Sequence, residues 1–392
     1  MNCKGFFSFM NRKNYVSVIC EYNPFHFGHK FQLDSLKESF DGIICIMSGD
    51  IVQRGSVAVA DKYIRAEAAI NSGADLVLEL PIPWCCSSAR DFARAGVHIA
   101  DAVGSSALAF GAEDKETVFE LYRATQSEVF SDRLKQIVEN NKNLSYPQAV
   151  TAALSEIVSA SAVEAAKKPN NILSVEYLRA LEGRDIIPFA VSRNSNFLSS
   201  SNIREGNGEK MLSMLPAESK AVFSKYLDTR FPRDIKALDS FFIGRLRQLD
   251  SLVTNSAFYS SPEGLTRKIL HASAKASSVA ELVSLCTDKA YTAARVRRAV
   301  NAIVFGIAPE QVSALPSYTC VLAANEKGRE ILRRAKQKKA IDIVNKPIRA
   351  VSFGGETEKA FLFAKSVEDI ISLSDPVPLP SDKAKNPIIA GK

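Results

Sequence analysis

The first half of the chain alternates short apolar runs with segments of helical periodicity, and this alternation limits the fold more than any other feature. Runs rich in apolar, often β-branched residues occur at 16–20, 42–48, 74–80, 106–110 and 185–191. Between them, residues 61–73 and 91–104 repeat apolar side chains every three or four positions, and each segment ends at a glycine, as helices often do. Nearly continuous apolar strands indicate a parallel sheet with helices on both faces. We therefore predict a doubly wound, Rossmann-like α/β domain over residues 15–205.

Three further segments complete the predicted organisation. From residue 206 to 375 the strand pattern fades and helical periodicity predominates, which predicts a mainly helical region. Residues 376–392 are rich in proline and lysine, a composition typical of disorder. Residues 1–14 lack the apolar core and cleavage site of a signal peptide, so we interpret them as an N-terminal extension.

The composition argues for a cytoplasmic protein. Seven cysteines occur without any C-x-x-C pair, which favours reduced thiols over disulfides or a zinc site. No apolar stretch approaches the ~20 residues that are needed to cross a bilayer. We expect no membrane association, and nothing in the sequence predicts a protein partner.

The net charge of +7 is concentrated in two helical stretches of the second half, residues 288–298 and 325–339. Two basic stretches in one region favour a polyanionic partner such as RNA, although a solvated helix face is the alternative for each. The candidate RNA-binding residues are Lys289, Arg295, Arg297, Arg298, Lys327, Arg329, Arg333, Arg334 and Lys336.

Two of the four histidines lie in the segment CEYNPFHFGHK, directly after the first predicted strand. Pro24 and Gly28 indicate a tight turn into a helix, whose first N–H groups attract an anion. His26 and His29 could both donate hydrogen bonds to a phosphoryl group during its transfer. A metal site is an alternative, with Glu21 as the one close third ligand, and so is an ordinary loop. The H-x-G-H spacing after a buried strand favours nucleotidyl transfer.

The segment LSSSNIREGNG offers a second phosphate-binding element at the far end of the domain. Three serines, 199–201, precede Arg204 in a pattern similar to the S-[ST]-x-x-R signature of H-x-G-H nucleotidyltransferases. A serine run before a helix is also an ordinary N-cap. Together with H-x-G-H, phosphate binding is the better interpretation, with Arg204 neutralising the departing pyrophosphate. We expect Arg54, Lys62 and Arg65 to face the same cleft, with salt bridges as the alternative for them.

The chain resembles the tRNA(Met) cytidine acetate ligases over nearly its whole length. The resemblance is carried, in order, by EYNPFHFGHK, MSGDIVQRGSVAVADKYIRAEAAINSGADLVLELP, FGAED, PNNILSVEYLRAL and SSSNIR. The chain departs from that family at Phe27 and Asp50, where asparagine is usual, and at Ser56 and Val57, where Glu-Pro is usual. Asp50 is expected to add negative charge near the phosphates.

The resemblance implies an ATP-dependent ligase that activates acetate as acetyl-adenylate. The acetyl group then passes to the exocyclic amine of the wobble cytidine of elongator tRNA(Met), giving N(4)-acetylcytidine. ATP is the co-substrate, and we expect Mg²⁺ to be coordinated mainly by its phosphates. An adenylyl- or cytidylyltransferase acting on a small phosphorylated metabolite is the alternative, and an RNA-binding protein without activity is a third possibility.

The resemblance also implies the residues of the site. His26, His29 and Arg204 are the expected catalytic residues. Asn171 lies in a PNN segment that is also a common helix-entry turn. The expected ATP-binding residues are Ile19, Cys20, Glu21, Tyr22, Asn23, Pro24, Phe25, His26, Phe27, Gly28, His29, Lys30, Phe31, Gln32, Gly111, Asn170, Asn171, Arg193 and Ser201.

Overall fold

A mixed sheet of eight strands organises the residues that the computed structural model describes, which are 14–141, 146–192, 197–250, 257–378 and 386–390. The strand order is β5-β4-β1-β2-β3-β6-β7, and β8 pairs with β6. The strands are β1 (Tyr15–Cys20), β2 (Gly42–Ser48), β3 (Leu76–Leu80), β4 (Ala107–Ala112), β5 (Ile187–Ser192), β6 (Tyr318–Ala324), β7 (Asp342–Val344) and β8 (Ile388–Ile389).

Helices cover both faces of this sheet. Those of the first half are α1 (Phe27–Lys37), α2 (Lys62–Asn71), α3 (Ala89–Ala102), α4 (Lys115–Thr125), α5 (Glu128–Asn140), α6 (Tyr146–Leu154), α7 (Ala160–Ala166) and α8 (Pro169–Ala180). Those of the second half are α9 (Ser200–Arg204), α10 (Gly208–Ser213), α11 (Ala217–Ser224), α12 (Asp239–Asp250), α13 (Glu263–Ser273), α14 (Val279–Cys286), α15 (Ala293–Phe305), α16 (Pro309–Ser313), α17 (Glu326–Lys338) and α18 (Gly355–Ile371).

The five predicted strands pair in parallel, which confirms the predicted α/β fold. Side chains of β2 show why the strand is apolar throughout. Ile44 and Ile46 pack into the core on one face, and Ile43, Cys45 and Met47 pack into the core on the other. A strand that is buried on both faces has no position for a polar residue to meet water.

The chain reverses its direction across the sheet between β1 and β4. From β1 it proceeds outward through β2 to β3, then returns to add β4 and β5 on the opposite side of β1. The loops that follow β1 and β4 therefore diverge to opposite faces and leave a crevice at the carboxyl ends of these two strands, which is where doubly wound sheets bind ligands.

The second half is mainly helical, but it also contributes strands to the same sheet. Strand β6 pairs antiparallel with β3, and β7 and β8 pair in parallel with β6. The expectation that strands fade after residue 206 is wrong for residues 318–324. These residues are fully buried in the sheet, so the two halves share one sheet instead of folding as separate units.

The expected disorder of residues 376–392 is also wrong in part. Ile388 and Ile389 form β8 beside Ala323 and Ala324, because this edge of β6 still offers backbone hydrogen bonds beyond β7. Residues 379–385 and 391–392 lie outside the described residues, as do 1–13 of the N-terminal extension.

None of the helices in the described residues is both long and apolar enough to cross a membrane. The six cysteines of this part of the chain are buried as free thiols.

Candidate active site

A cleft of about 390 Å³ opens at the carboxyl ends of β1, β4 and β5, at the crevice where the strand order reverses. Its walls are the loop after β1, the first turns of α1, a turn at residues 52–56, one face of α8 and the segment leading into α9. Thirteen predicted residues line it: Ile19, Cys20, Glu21, Tyr22, His26, Gly28, His29, Phe31, Gln32, Gly111, Asn170, Ser201 and Arg204.

His26 is the N-cap residue of α1, and together with His29 it forms a capping box at the start of this helix. The Nδ1 atom of His26 accepts the N–H of Gly28 at 3.0 Å, and the Nδ1 atom of His29 accepts the N–H of His26 at 3.3 Å. A ring nitrogen that accepts an N–H carries no proton, so each neutral imidazole carries its proton on Nε2. The cap thus makes both rings hydrogen-bond donors through Nε2 in their neutral form.

The two imidazoles are stacked, with ring centroids 3.8 Å apart and planes inclined by 25°. The buried rings of Tyr22 and Phe25 lie 4.8 Å and 5.6 Å from the ring of His29. The Tyr22 hydroxyl is in turn 3.3 Å from the Sγ atom of Cys45 on β2. These contacts fix the orientation of the histidine pair from beneath.

Gly28 lines the cleft and also makes room for the His26 ring. A Cβ atom at this position would lie 3.0 Å from Cε1 and 3.2 Å from Nδ1 of His26. Glycine therefore leaves room for the His26 ring to fold back onto the helix and cap it.

Arg204 and the serines line the same cleft, beside the loop after β1. The Nη1 atom of Arg204 donates to the carbonyl of Asn23 at 2.7 Å, which holds the guanidinium close to the loop after β1. Ser199 caps α9 by accepting the N–H of Asn202, and its hydroxyl lies 2.8 Å from that of Ser201. Ser199, Ser200 and Ser201 all line the cleft with Arg204, so the structure brings both predicted phosphate-binding elements together.

Glu21 is the acidic residue that lines the cleft in the described part of the chain. Its Oε1 atom accepts the N–H of Gln53 at 3.0 Å. Burial raises the pKa of its carboxyl group, while the Gln53 N–H and the charges of Arg204 and Arg54 oppose that rise. Glu21 thereby joins the loop after β1 to the turn at residues 52–56.

The remaining predicted ATP-binding residues face away from the cleft or lie outside the described residues. Phe25 is buried below the histidines, and Pro24 is buried next to it. The Asn23 side chain accepts the N–H of Val59 at 2.8 Å. Phe27 is exposed and stacks on Phe197, with ring centroids 6.4 Å apart.

Two more predicted residues have partners elsewhere. Lys30 pairs with Asp34 one helical turn away, at 2.8 Å. The Nδ2 atom of Asn171 donates to the carbonyl of Ala165 at 3.0 Å, so this side chain anchors α8 to α7 and does not line the cleft. Arg193 lies outside the described residues.

Four lining residues that the sequence patterns did not identify, three of them apolar, form a wall of the cleft. Leu173, Ser174 and Tyr177 lie on α8, and Phe110 at the end of β4 packs 6.1 Å from the ring of Tyr177. Together with Asn170 the three helical residues recur at three- and four-residue spacing. That periodicity marks one face of a helix, and it would have identified them.

Lys62 and Arg65 do not face the cleft, which corrects the expectation for them. The Nζ atom of Lys62 is buried between Glu79, at 2.7 Å, and Glu368. The Arg65 guanidinium donates to the carbonyls of Ala60 and Glu21, at 3.0 Å and 2.6 Å, and to that of Gly49. Arg65 therefore holds the backbone around the cleft, and Lys62 joins the side chains of β3 and α18.

Asp50 is not placed against the phosphates either. Its carboxylate accepts the N–H of Lys62 at 2.9 Å and pairs with Arg233 at 3.1 Å. Arg233 also pairs with Asp375 at 2.7 Å, and all three side chains are buried. The negative charge that the sequence appeared to add at the site is neutralised by an arginine from the second half of the chain.

The two basic stretches lie at different ends of the sheet. On α15, the Nε atom of Arg297 donates to the carbonyl of Arg54, which lines the cleft, at 3.2 Å. Helix α17 instead crosses the amino ends of the parallel strands. There Arg334 lies over the ring of Tyr15, the first residue of β1, at 5.7 Å, and Asn325 bonds Asp75, just before β3, at 2.8 Å.

The fold and the site define the class of protein. The family model described as HIGH Nucleotidyl Transferase matches residues 13–380, and the chain belongs to that class. Within the class, it belongs to the tRNA(Met) cytidine acetate ligase family. A tRNA(Met) cytidine acetate ligase of Thermoanaerobacter sp. strain X514 is 32% identical over 359 residues, which cover 84% of this chain and 88% of the relative. One of Clostridium perfringens, strain ATCC 13124, is 30% identical, with 96% and 99% of the two chains covered.

A solved structure is similar along the whole chain as well. The crystal structure of Thermotoga maritima TmcAL bound with alpha-thio ATP superposes with a TM-score of 0.85 at 27% identity, and covers 96% of this chain and 99% of that one. The family that the sequence motifs indicate is therefore confirmed.

Proposed function

We propose that this chain is an ATP-dependent ligase that activates acetate as acetyl-adenylate and transfers the acetyl group to the wobble cytidine of elongator tRNA(Met). Membership of the family gives the reaction. The observation that supports this reaction in the cleft is the stacked pair of His26 and His29, whose Nδ1 atoms accept backbone N–H groups and leave the protons on Nε2. Arg204 and the serines line the same cleft of about 390 Å³.

In the first step, a carboxylate oxygen of acetate attacks the α-phosphorus of ATP, and the bond to the bridging oxygen breaks to release pyrophosphate. The enzyme's task is alignment and charge stabilisation. The Nε2–H groups of His26 and His29 donate to the α-phosphate oxygens as charge builds. Arg204 and the hydroxyls of Ser199 and Ser201 hold the leaving pyrophosphate.

In the second step, the exocyclic amine of cytidine attacks the acetyl carbonyl carbon, and AMP leaves with the electron pair of the broken C–O bond. The proton that the amine loses passes to solvent. No covalent enzyme intermediate is needed. Cys20 lines the cleft, but burial and its contact with Cys45 raise the pKa of its thiol well above the ordinary value, so it stays protonated and unreactive.

Mg²⁺ fits this site as a companion of ATP. No cluster of three His, Cys, Asp or Glu side chains that could hold a metal ion occurs in the described part of the chain. Glu21 is the lone carboxylate of the lining there, and its Oε1 atom already accepts the Gln53 N–H. This donor set suits an ion whose ligands are mainly phosphate oxygens and water, and the ion would neutralise phosphate charge.

The tRNA is the proposed partner, and the basic residues of α15, which lies beside the cleft, are with Lys289 the candidate surface for its phosphates. A polyanion is attracted to such surfaces without regard to sequence, and the acceptor base then has to enter the cleft. We place this activity in the cytoplasm, where tRNA is modified.

The test separates the two steps. Purified protein is incubated with ATP and labelled pyrophosphate, with and without acetate, and exchange of label into ATP is measured. We expect exchange that depends on acetate and does not require tRNA. Labelled acetate and unmodified elongator tRNA(Met) are then supplied, and the digested RNA is analysed for acetylated cytidine by mass spectrometry.

A tRNA whose wobble cytidine is replaced by uridine is the matched control, because uridine lacks the exocyclic amine. Incorporation should end with that RNA. Exchange that is indifferent to acetate, or nucleotidyl transfer to a small phosphorylated metabolite, would contradict the proposal and favour the adenylyl- or cytidylyltransferase.

A further inference from the structure

Arg54 stands at the tip of a tight turn on the rim of the cleft. The turn is closed by two backbone hydrogen bonds, from Val52 N–H to Ser56 at 2.9 Å and from Gly55 N–H to Val52 at 2.8 Å. Its neighbours are buried, whereas Arg54 is exposed and lines the cleft. The turn therefore presents one long cationic side chain beside the ATP site.

This turn is seated directly on the backbone of α15. Gly55 has φ +77°, and a Cβ atom there would lie 2.8 Å from the amide nitrogen of Arg298. The Nδ2 atom of Asn301 donates to the Gly55 carbonyl at 3.0 Å, and Arg297 donates to the Arg54 carbonyl at 3.2 Å. Arg54 and Arg297 are consequently held as neighbours, on a support that excludes any side chain at residue 55.

The charge of Arg54 acts on the Glu21 carboxyl, which offsets only part of the positive charge of the two guanidinium groups. Neither Arg54 nor Arg297 forms a salt bridge with a described carboxylate, in contrast to the buried Arg233, which pairs with both Asp50 and Asp375. Burial and the charge of Arg54 both lower the pKa of Arg297. Two like charges that are kept close together at an exposed rim favour an anionic ligand.

The rim with Arg54 lies at the edge of the cleft that the acceptor base has to enter. The proposed pyrophosphate side is α9, whose Ile203 packs into the core on one face of the sheet. Ile51 and Val57, which flank the Arg54 turn, pack into the core on the opposite face. The turn and α9 therefore leave the sheet on opposite faces, but burial and the charge of Arg54 still lower the pKa of Arg204, and the charge of Arg54 also acts on Glu21. Arg54 thus lies on the rim between the phosphate-binding residues and α15.

We infer that Arg54 and Arg297 bind backbone phosphates of the acceptor RNA next to the reacting cytidine, and that the RNA enters over α15 and not over α17. This inference rests on the proposed function. It adds Arg54 to the RNA site and separates the two basic stretches. The strands of the sheet stand between α17, at their amino ends, and the cleft, at their carboxyl ends.

The test compares Arg54→Gln, Arg297→Gln and Arg333→Gln in the full-length protein. The affinity for elongator tRNA(Met) is measured over a range of salt concentrations. Each of the first two variants should weaken binding several-fold and reduce the salt slope by about 0.7, the value for one phosphate contact on a single strand. Arg333→Gln, at an exposed arginine of α17, should stay within about twofold of wild type. Arg54→Lys keeps the charge and should recover most of the affinity.

The kinetic arm separates RNA binding from the small-substrate site. For Arg54→Gln we expect the KM for tRNA to rise more than the KM for ATP or acetate. A rise confined to ATP or acetate would make Arg54 a ligand of the small substrates and overturn the inference. Weakened binding by Arg333→Gln, with no effect at Arg54 and Arg297, would also overturn it. A failure of this inference can be told apart from a failure of the proposed function. If the proposed function were wrong, the wild-type protein itself would show no acetate-dependent pyrophosphate exchange.

Discussion

His26 performs two tasks with the two nitrogens of one ring. Nδ1 accepts the Gly28 N–H and caps α1, which commits the proton of the neutral ring to Nε2 for the phosphoryl group. Stability and catalysis therefore meet in one side chain, but they use different atoms and can be separated by substitution.

We predict that His26→Asn keeps the cap and loses the reaction. The Oδ1 atom of asparagine can accept the same N–H as Nδ1, and asparagine is a favoured N-cap residue. Acetate-dependent pyrophosphate exchange should fall 10²- to 10³-fold, which corresponds to the loss of one aimed donor. His26→Ala should lose the same activity and in addition about 1 kcal/mol of stability. Urea unfolding and the exchange rate measure the two effects, and equal stability of both variants would contradict the capping role.

Residues whose partners are local were predictable from the sequence, and residues whose partners are distant were not. The H-x-G-H spacing identifies both histidines because their contacts reach only two or three residues along the chain. The expectation that Lys62 faces the cleft is wrong, because its partner Glu368 lies 306 positions away along the chain. A local sequence pattern cannot predict a pair of residues that are so far apart in the chain.

At the scale of elements, the contact between the Arg54 turn and α15 depends on one missing side chain. Gly55 has a left-handed backbone and no space for a Cβ atom. Gly183 has almost the same backbone, with φ +72°, but nothing lies within 4 Å of the position its Cβ would take. Alanine at Gly183 would therefore add only backbone strain, whereas alanine at Gly55 would add the same strain and a steric clash.

We predict that Gly55→Ala is more harmful than Gly183→Ala. Both substitutions should cost about 1–2 kcal/mol for a left-handed backbone. Gly55→Ala should cost more, because the turn has to move away from α15, and it alone should raise the KM for tRNA. Unfolding free energies and transfer kinetics of the two variants test this. Equal losses of stability and activity in both variants would mean that the contact with α15 does not hold the turn in place.

The elements themselves were predictable where burial is continuous. Strands β1–β5 follow from five apolar runs, and the structure places each within two residues of the expected ends. Strand β6 was missed although residues 318–324 are equally buried. Its surroundings in the sequence are helical, and its hydrogen-bonding partner β3 is far away in the chain, so its conformation is decided by tertiary pairing.

At the scale of the whole molecule, buried ion pairs join the two halves of the chain. Lys62 of α2 lies between Glu79 of β3 and Glu368 of α18, so that two carboxylates share one ammonium group. Burial, with the nearby charges of Glu79 and Asp50, raises the pKa of Glu368 to about 8, although Lys62 opposes the rise.

This arrangement predicts a pH dependence of stability. The pKa of Glu368 is raised in the folded state, so the folded protein binds a proton that the unfolded chain has released between about pH 4.5 and 8. Stability from this group is present below that window and is lost as the pH rises through it. Glu368→Gln should therefore gain stability relative to wild type from pH 5 to 8.5 in urea unfolding. Glu356→Gln, on an exposed position of the same helix, should give a profile parallel to wild type. Parallel profiles for both variants would contradict the role of Glu368.

The pairing of β3 with β6 also has a consequence for synthesis on the ribosome. One edge of β3 bonds β2, and the other is completed by residues 318–324. At roughly 5–20 residues per second, translation of the intervening residues 81–317 lasts on the order of 10–50 s. For that time the nascent chain carries an apolar strand with an open edge, which is the kind of surface that holdase chaperones cover and that promotes aggregation at high expression rates.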